Sequence, residues 1–362
     1  MRLGVEAALV EGSFLPGDVD VEAGVVTAVG LAGAGRGVAV PGFVDLQVNG
    51  FGGVDFLDAS SADYRVAGAA LLETGVTAFL PTLITSPEEE LLAALREIPR
   101  EEARPRILGV HLEGPFLSPA RLGAHAAAAR RDPDLALLDR LLDAGDVRLM
   151  TLAPELPGAA ELIDRLVARG VAVSLGHTDA TSSQAHAAFD RGARGVTHLF
   201  NAMRPFLHRD PGVIGAGLAR TDVVVSVIVD GIHLSPEAVL LAYNVAGERL
   251  ALISDAITGA GLSDGAFSFG RLDIEVSEGA VRGPDGVLAG SVLTMIEAVR
   301  NLHALGVPLE RAVGAATSTP AGFLGEARLA RLAPGLPADI VVLNDGIEIE
   351  RVLVAGDTRV AS

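Results

Sequence analysis

Four residues stand where apolar segments of this sequence end, and together they could carry out hydrolysis at a metal ion. They are Glu113 after "ILGVHL", His177 after "VAVSLG", His198 after "GVT" and Asp255 after "LIS". One carboxylate and two imidazoles supply the O and N donors that first-row divalent ions take, and three protein ligands leave a fourth position for water. An ion acidifies such a water, and a carboxylate beside it, here Asp255, can take the proton. Taken singly, each could be a buried polar residue satisfied by its neighbours, and Asp255 could be a helix N-cap. Their recurrence at equivalent points of successive segments favours the chemical reading. The Thr258-Gly259-Ala260-Gly261 stretch that follows reads as loop and weakens the cap.

The other histidines divide by position. His233 in "VDGIHLS" and His125 in "GAH" follow predicted strands and can reach a substrate from the rim. His111, two residues before Glu113, shares its strand face and either supports it or packs. His186, His208 and His303 read as surface or helix-packing residues. Gln47 and Asn49 end the first apolar segment, where they line the site and contact water or substrate, or else merely satisfy backbone groups. Neutral amides bind first-row metals weakly compared with imidazole, so the expectation is one ion per subunit. His₂Glu accepts zinc, the first choice here, and also iron, manganese or cobalt.

The elements that must bring these residues together are apolar segments alternating with helical patterns. The strand segments run over 43–48, 76–81, 107–112, 148–152, 171–176, 195–199, 222–229 and 251–254. Eight such segments predict an α/β fold, a TIM (β/α)₈ barrel whose strand ends meet at one catalytic face. Helices are expected from Pro87 to Ile98, with Ser86 as N-cap, from Ala159 to Arg169 and from Thr181 to Arg191. Residues 1–40 read as one part of a small β domain and 336–362 as the other, a β-sandwich built from both chain ends. The barrel then occupies 41–335, with a β-hairpin inserted near 267–287.

Composition narrows the chemistry further. Across 362 residues, 49% hydrophobic and 20% charged, the chain is long enough for a barrel and too apolar for disorder. It has no Cys, hence no disulfide, thiolate ligand or cysteine nucleophile. It has no Lys either, which excludes a Schiff base, a P-loop lysine and a carboxylated lysine bridging two metals. A net charge of -18 without a dense Arg run argues against nucleic acid and anionic membranes as partners. With no apolar run of membrane-span length and no signal-peptide pattern, the expected location is cytoplasmic.

The stretches "PGFVDLQVNGFGGVDF", "HLEGPFL", "GAH", "SLGHTDA", "THLFNAM", "VDGIHL", "ISDA" and "LAGSVLTMIEAVRNL" resemble, in order, those of the N-acetylglucosamine-6-phosphate deacetylases, a family of the amidohydrolase superfamily. The resemblance implies Glu113, His177 and His198 at the metal and Asp255 in acid/base catalysis. It implies substrate contacts by Ala124, His125, Asn201, Ala202, His233, Leu288, Ala289 and Gly290. It also implies a homodimer in which Arg209 reaches the substrate phosphate of the partner's site. Many superfamily members carry His-X-His after the first strand where this chain has Gln47-Val48-Asn49, which matches the single-metal branch. The expected reaction is loss of acetate from N-acetylglucosamine 6-phosphate in amino-sugar catabolism. The alternatives are the same reaction on another N-acetylhexosamine phosphate, such as the galactosamine epimer, or a non-catalytic sugar-phosphate sensor. A sensor should have lost Asp255 or a ligand, and none is lost.

Overall fold

The computed structural model describes residues 1–33, 35–99 and 104–361. Eight parallel strands form the barrel wall: Phe43–Val48, Val76–Ile84, Val110–Glu113, Val147–Leu152, Ala172–Leu175, Gly195–Val196, Val224–Val227 and Leu250–Leu252. They read as near-continuous apolar runs because helices cover them outside and side chains fill them inside. Val44, Leu80, Leu112, Met150, Val173, Val225 and Leu252 are wholly buried in one continuous core. The helices present the matching stripe. In Leu135–Ala144 it is Leu137, Leu138, Leu141 and Leu142, and in Ala159–Ala168 it is Leu162, Ile163 and Leu166.

The barrel closes between its first and last strands with little ladder. One parallel bridge joins Val48 to Ala256, and the Asp255 amide donates to the Gln47 carbonyl. The Asp45 side chain covers the gap: its Oδ1 accepts from the amides of Gln47 at 3.2 Å and Ser254 at 3.3 Å. A carboxylate thus does at this seam what a neighbouring strand's carbonyls do elsewhere.

Both chain ends enter a six-stranded sheet in the order Ser13–Pro16, Ala7–Val10, Val38–Pro41, Ile340–Leu343, Ile349–Val354, Asp357–Ala361. A two-stranded layer, Asp18–Glu22 with Val25–Leu31, packs on it around Val5, Val19, Val26, Ala39, Ile340 and Val342. After the last barrel strand an antiparallel unit of three strands, Gly265–Phe269, Leu272–Ser277 and Ala280–Arg282, stands where a hairpin is expected.

Two local expectations need correction. The third strand begins at Val110, because Gly109 at φ +118° separates it from the short strand Arg106–Ile107. The second helix, Glu88–Glu97, is capped by Pro87 and not by Ser86. The Pro87 carbonyl takes the first helical hydrogen bonds, and no side chain caps the open amides. Glu88, Glu89 and Glu90 face that end of the helix dipole instead. Thr181 does cap its helix, Ser182–Asp190, in a reciprocal box with Gln184.

Candidate active site

The barrel's strand ends converge on a cavity of about 390 Å³. Glu113 closes the third strand, His177 and His198 lie just beyond the fifth and sixth, and Asp255 follows the eighth. All four are buried. His177, His198 and Asp255 hold left-handed backbone, at φ +47°, +33° and +51°, which costs a non-glycine residue about 1–3 kcal/mol. The barrel holds each of these turns by a backbone bond to a neighbouring segment, and for His177 the Ser118 amide donates to its carbonyl. The His198 amide donates to Ser226 Oγ at 3.0 Å, and the Ser291 amide donates to the Asp255 carbonyl.

Three ligand-type atoms point at one spot. Glu113 Oε1 lies 3.2 Å from His177 Nε2 and 3.0 Å from His198 Nε2, and the two imidazole nitrogens are 3.1 Å apart. His177 Nδ1 donates to the Arg121 carbonyl at 3.0 Å, which places the lone pair on Nε2. Donor atoms around a tetrahedral ion at about 2.0–2.2 Å stand roughly 3.3–3.6 Å from one another, so a slight opening of this triangle accepts one divalent ion. The donor set fits such an ion. Burial raises the Glu113 carboxyl, yet the imidazoles of His125, His177 and His198 around it outweigh that and hold it well below the usual range. Burial pushes His177 down to about 4. Burial also acts to lower His198, but its bond to Glu113 reverses the sign and leaves it raised.

Another triplet, Glu113, His125 and His177, also has its ligand atoms within 4.8 Å of one another. The tighter triangle with His198 is the better cradle, and the hydrogen bonds of His125 give it a different role. Its Nδ1 lies 2.9 Å from Thr85 Oγ1 and accepts from the Thr85 amide at 3.3 Å, which assigns the proton to Nε2, 3.5 Å from Glu113 Oε2. His125 therefore presents a donor to the cavity.

Asp255 Oδ1 accepts from Gln47 Nε2 at 3.0 Å and Asn49 Nδ2 at 2.7 Å. No protein donor meets Oδ2 among the described residues, and Asp255 lines the cavity. Burial and the nearby charge of Glu113 push its carboxyl up to about 6, a fitting value for a group that takes and returns a proton. The N-cap reading of Asp255 fails, since no helix follows it. Asn49 lines the cavity as expected and Gln47 does not, while the amides of both serve carboxylates, Gln47 also donating to Glu113 Oε1 at 3.1 Å. Gln47 belongs to the first strand and Asn49 follows just beyond its end, and both reach Asp255 Oδ1.

The rim holds most of the other expected residues. Ala124, Asn201, Ala202, His233, Leu288 and Gly290 line the cavity. Gly290, at φ +69°, is required: a Cβ there would stand 2.5 Å from Ile257 Cγ2 and 2.9 Å from the Asp255 carbonyl. Ala289 is instead buried in the small core beneath the three-stranded unit, with Ile257 and Val281. Arg209 is exposed and lies outside its own chain's cavity. His111 bridges Thr82 and Thr151 in the barrel interior, where burial pushes it down to about 4. Sequence reasoning missed Thr85, the Arg121 carbonyl and Asp230, whose Oδ2 accepts from His233 Nδ1 at 2.7 Å. Only Asp230 left a trace, three residues before its histidine.

The profile of the amidohydrolase family matches residues 38–359. The chain belongs to the amidohydrolase family. Among characterised members, the N-acetylglucosamine-6-phosphate deacetylase of Vibrio furnissii is 37% identical over 325 residues, 88% of this chain and 82% of its own. The N-acetylgalactosamine-6-phosphate deacetylase of Escherichia coli O157:H7 is also 37% identical, over 87% of this chain and 86% of its own. A mutant N-acetyl-D-glucosamine-6-phosphate deacetylase from Mycobacterium smegmatis, solved with N-acetyl-D-glucosamine-6-phosphate, superposes with a TM-score of 0.96. It is 39% identical and covers 100% of this amidohydrolase chain and 99% of its own.

Proposed function

We propose that this amidohydrolase removes the acetyl group from N-acetyl-D-glucosamine 6-phosphate, giving glucosamine 6-phosphate and acetate. The observation that carries the reading is the convergence of Glu113, His177 and His198 on one point, with an oxygen of Asp255 free beside it. When bound there, a divalent ion supplies Lewis acidity, acidifying water and polarising a carbonyl. Zinc suits the His₂Glu donors best, one ion per subunit.

Asp255 Oδ2 takes a proton from the water as its oxygen bonds to the acetyl carbon. The same oxygen then returns that proton to the amide nitrogen as the C–N bond breaks, giving acetic acid and an amine, which part as acetate and ammonium once the acid's proton passes to the amine. Gln47 and Asn49 hold the other Asp255 oxygen and aim the carboxylate. The His125 Nε2 proton stabilises negative charge growing on the carbonyl oxygen. His233, oriented by Asp230, binds the sugar together with Asn201, Ala202 and the 288–290 turn.

The subunits pair as a homodimer, and Arg209 reaches the phosphate in the partner's cavity. Its side chain is exposed and has no partner in its own chain among the described residues. Beside it Phe206 and Leu207 are 49% and 57% exposed, apolar surface that a subunit contact would cover. The enzyme acts in the cytoplasm, in amino-sugar catabolism, on a small substrate without nucleic acid or membrane partners. Among the described residues no helix is long and apolar enough to cross a membrane.

Acetate release from the two epimeric hexosamine phosphates tests the substrate. Faster turnover per unit concentration of the glucosamine derivative is expected, and the reverse preference establishes the epimer reading that the equally similar E. coli relative favours. Arg209→Ala should raise KM for the phosphorylated sugar far more than for unphosphorylated N-acetylglucosamine. Heterodimers of Arg209→Ala and Asp255→Asn subunits should regain activity, and no recovery rules out action across the interface.

A further inference from the structure

The cavity rim carries a charged array that the reaction above does not use. Arg121 lines the cavity and, among the described residues, is the one arginine that does. Its guanidinium is fixed from one side: Nε and Nη2 donate to Asp179 Oδ1 at 2.8 and 2.7 Å. Asp179 Oδ2 takes Arg204 Nη1 at 3.2 Å, and Arg204 reaches on to Asp210 Oδ2 through Nε at 2.8 Å and Nη2 at 2.6 Å. Asp179 is itself anchored, since its amide donates to Glu155 Oε1 at 2.7 Å while Thr178 Oγ1 donates to Glu155 Oε2 at 2.6 Å. The alternating Arg–Asp–Arg–Asp row runs from the turn that carries His177 to the loop that carries Arg209.

This arrangement leaves a specific donor over. Asp179 occupies the Nε and Nη2 edge of Arg121, while Nη1 donates to no protein acceptor among the described residues. A guanidinium clamped along one edge by a carboxylate keeps its remaining N–H groups in a set plane, suited to the oxygens of a phosphate. In a chain of net charge -18, a dianionic substrate needs such a local cation at the cavity. Arg209 of the same chain is not available to its own cavity.

We propose that Arg121, held by Asp179, is a same-chain contact for the substrate's phosphate and a determinant of specificity for the charged sugar. The inference rests on the reading of the substrate as a hexosamine phosphate bound in this cavity. It does not depend on Arg209 acting across the interface.

The test compares the metal-loaded wild type with Arg121→Gln on N-acetylglucosamine with and without its 6-phosphate. The expected result is a KM for the phosphorylated sugar raised roughly 10- to 100-fold. The kcat, the bound metal and the KM for the unphosphorylated sugar should stay within about threefold of wild type. Asp179→Asn should give the same split to a smaller degree, and Arg121→Lys should restore part of the KM. Equal losses on both sugars, an unchanged KM for the phosphorylated one, or loss of metal together with kcat overturns the proposal; the last would make Arg121 a support for His177 only. Failure of the underlying reading looks different, because the wild type itself would then release no acetate from the phosphorylated sugar.

Discussion

The terminal β layers and the barrel mouth answer to opposite demands. In the β layers Val5, Val19, Ala39, Ile340 and Val342 interlock without exposed surface, Asp18 takes the amides of Gly4, Val5 and Val19, and a second buried polar residue, Asp339, is matched on both oxygens. Its carboxylate takes Arg106 Nε at 2.7 Å and the Ala355 amide at 2.7 Å. At the mouth, His177, His198, Ala202 and Asp255 hold left-handed backbone, whereas in the β layers such non-glycine residues, Glu11, Ala23, Ile347 and Ala355, sit in the turns between strands; among the described residues, His198 Nδ1 and Asn49 Oδ1 are buried without partners. The Glu113, His177 and His198 atoms crowd one point that only a cation satisfies. One region spends its residues on stability, whereas the other keeps groups unsatisfied so that a ligand can satisfy them.

The sharpest way to separate the two regions is Asp255→Asn. Turnover should fall on the order of 10²–10⁴-fold while metal content and Tm hold, because the carboxylate moves a proton and bears no fold contact that an amide cannot keep. Near-wild-type kcat would remove Asp255 as the base. Gly290→Ala attacks the same residue through the backbone. The added Cβ meets the Asp255 carbonyl at 2.9 Å, so the base should shift and kcat drop roughly tenfold to a hundredfold. An unchanged kcat would show that the turn yields without moving Asp255.

Asp339→Ala probes the other region. It removes the acceptor of the Ala355 amide and the carboxylate that Arg106 Nε meets, and should reduce unfolding free energy by about 1–3 kcal/mol, discounted for the part-exposed arginine. Denaturant titration measures it, and KM should not change. A changed KM with intact stability would mean that the two regions are coupled.

The smallest effect belongs to Asp45 at the seam. Burial pushes its carboxyl up to about 7, and its Oδ2 has no partner. An unfolded aspartate loses its proton near 4, so between about pH 4 and 7 the folded chain binds the extra proton. This contribution to stability is present at low pH and lost as pH rises through 7. Asp45→Asn should therefore flatten the fall of Tm between about pH 4 and 7 relative to wild type. An identical slope in both proteins would show that Asp45 is not the group responsible.

The barrel was legible because a buried parallel strand reads as an apolar run, and because polar residues at the ends of such runs stand out against it. Glu113, His177, His198 and Asp255 were found that way. What sequence could not yield depends on contacts between distant segments. Nothing local marks Arg121 as the residue whose carbonyl orients His177, or Thr85 as the partner that sets the His125 proton. The amides of Gln47 and Asn49 looked directed at water or substrate because the carboxylate they serve lies more than 200 positions away. Ser86 has the right chemistry for a cap, but Pro87 fixes the backbone where the helix begins. Ala289 sits inside a matching motif, yet its side chain packs away from the cavity.

On this mechanism, one ion in a Glu113, His177 and His198 cradle suffices for catalysis by Asp255. Stripping the protein with chelator, then titrating zinc back while following acetate release from N-acetylglucosamine 6-phosphate, tests it most directly. Gln47 and Asn49 stand where a second ion would need imidazoles, and both amides are engaged with carboxylates. Activity should rise linearly and saturate at one equivalent per subunit. Activity that saturates only at two tightly bound equivalents, or that persists undiminished in the metal-free protein, would contradict this mechanism.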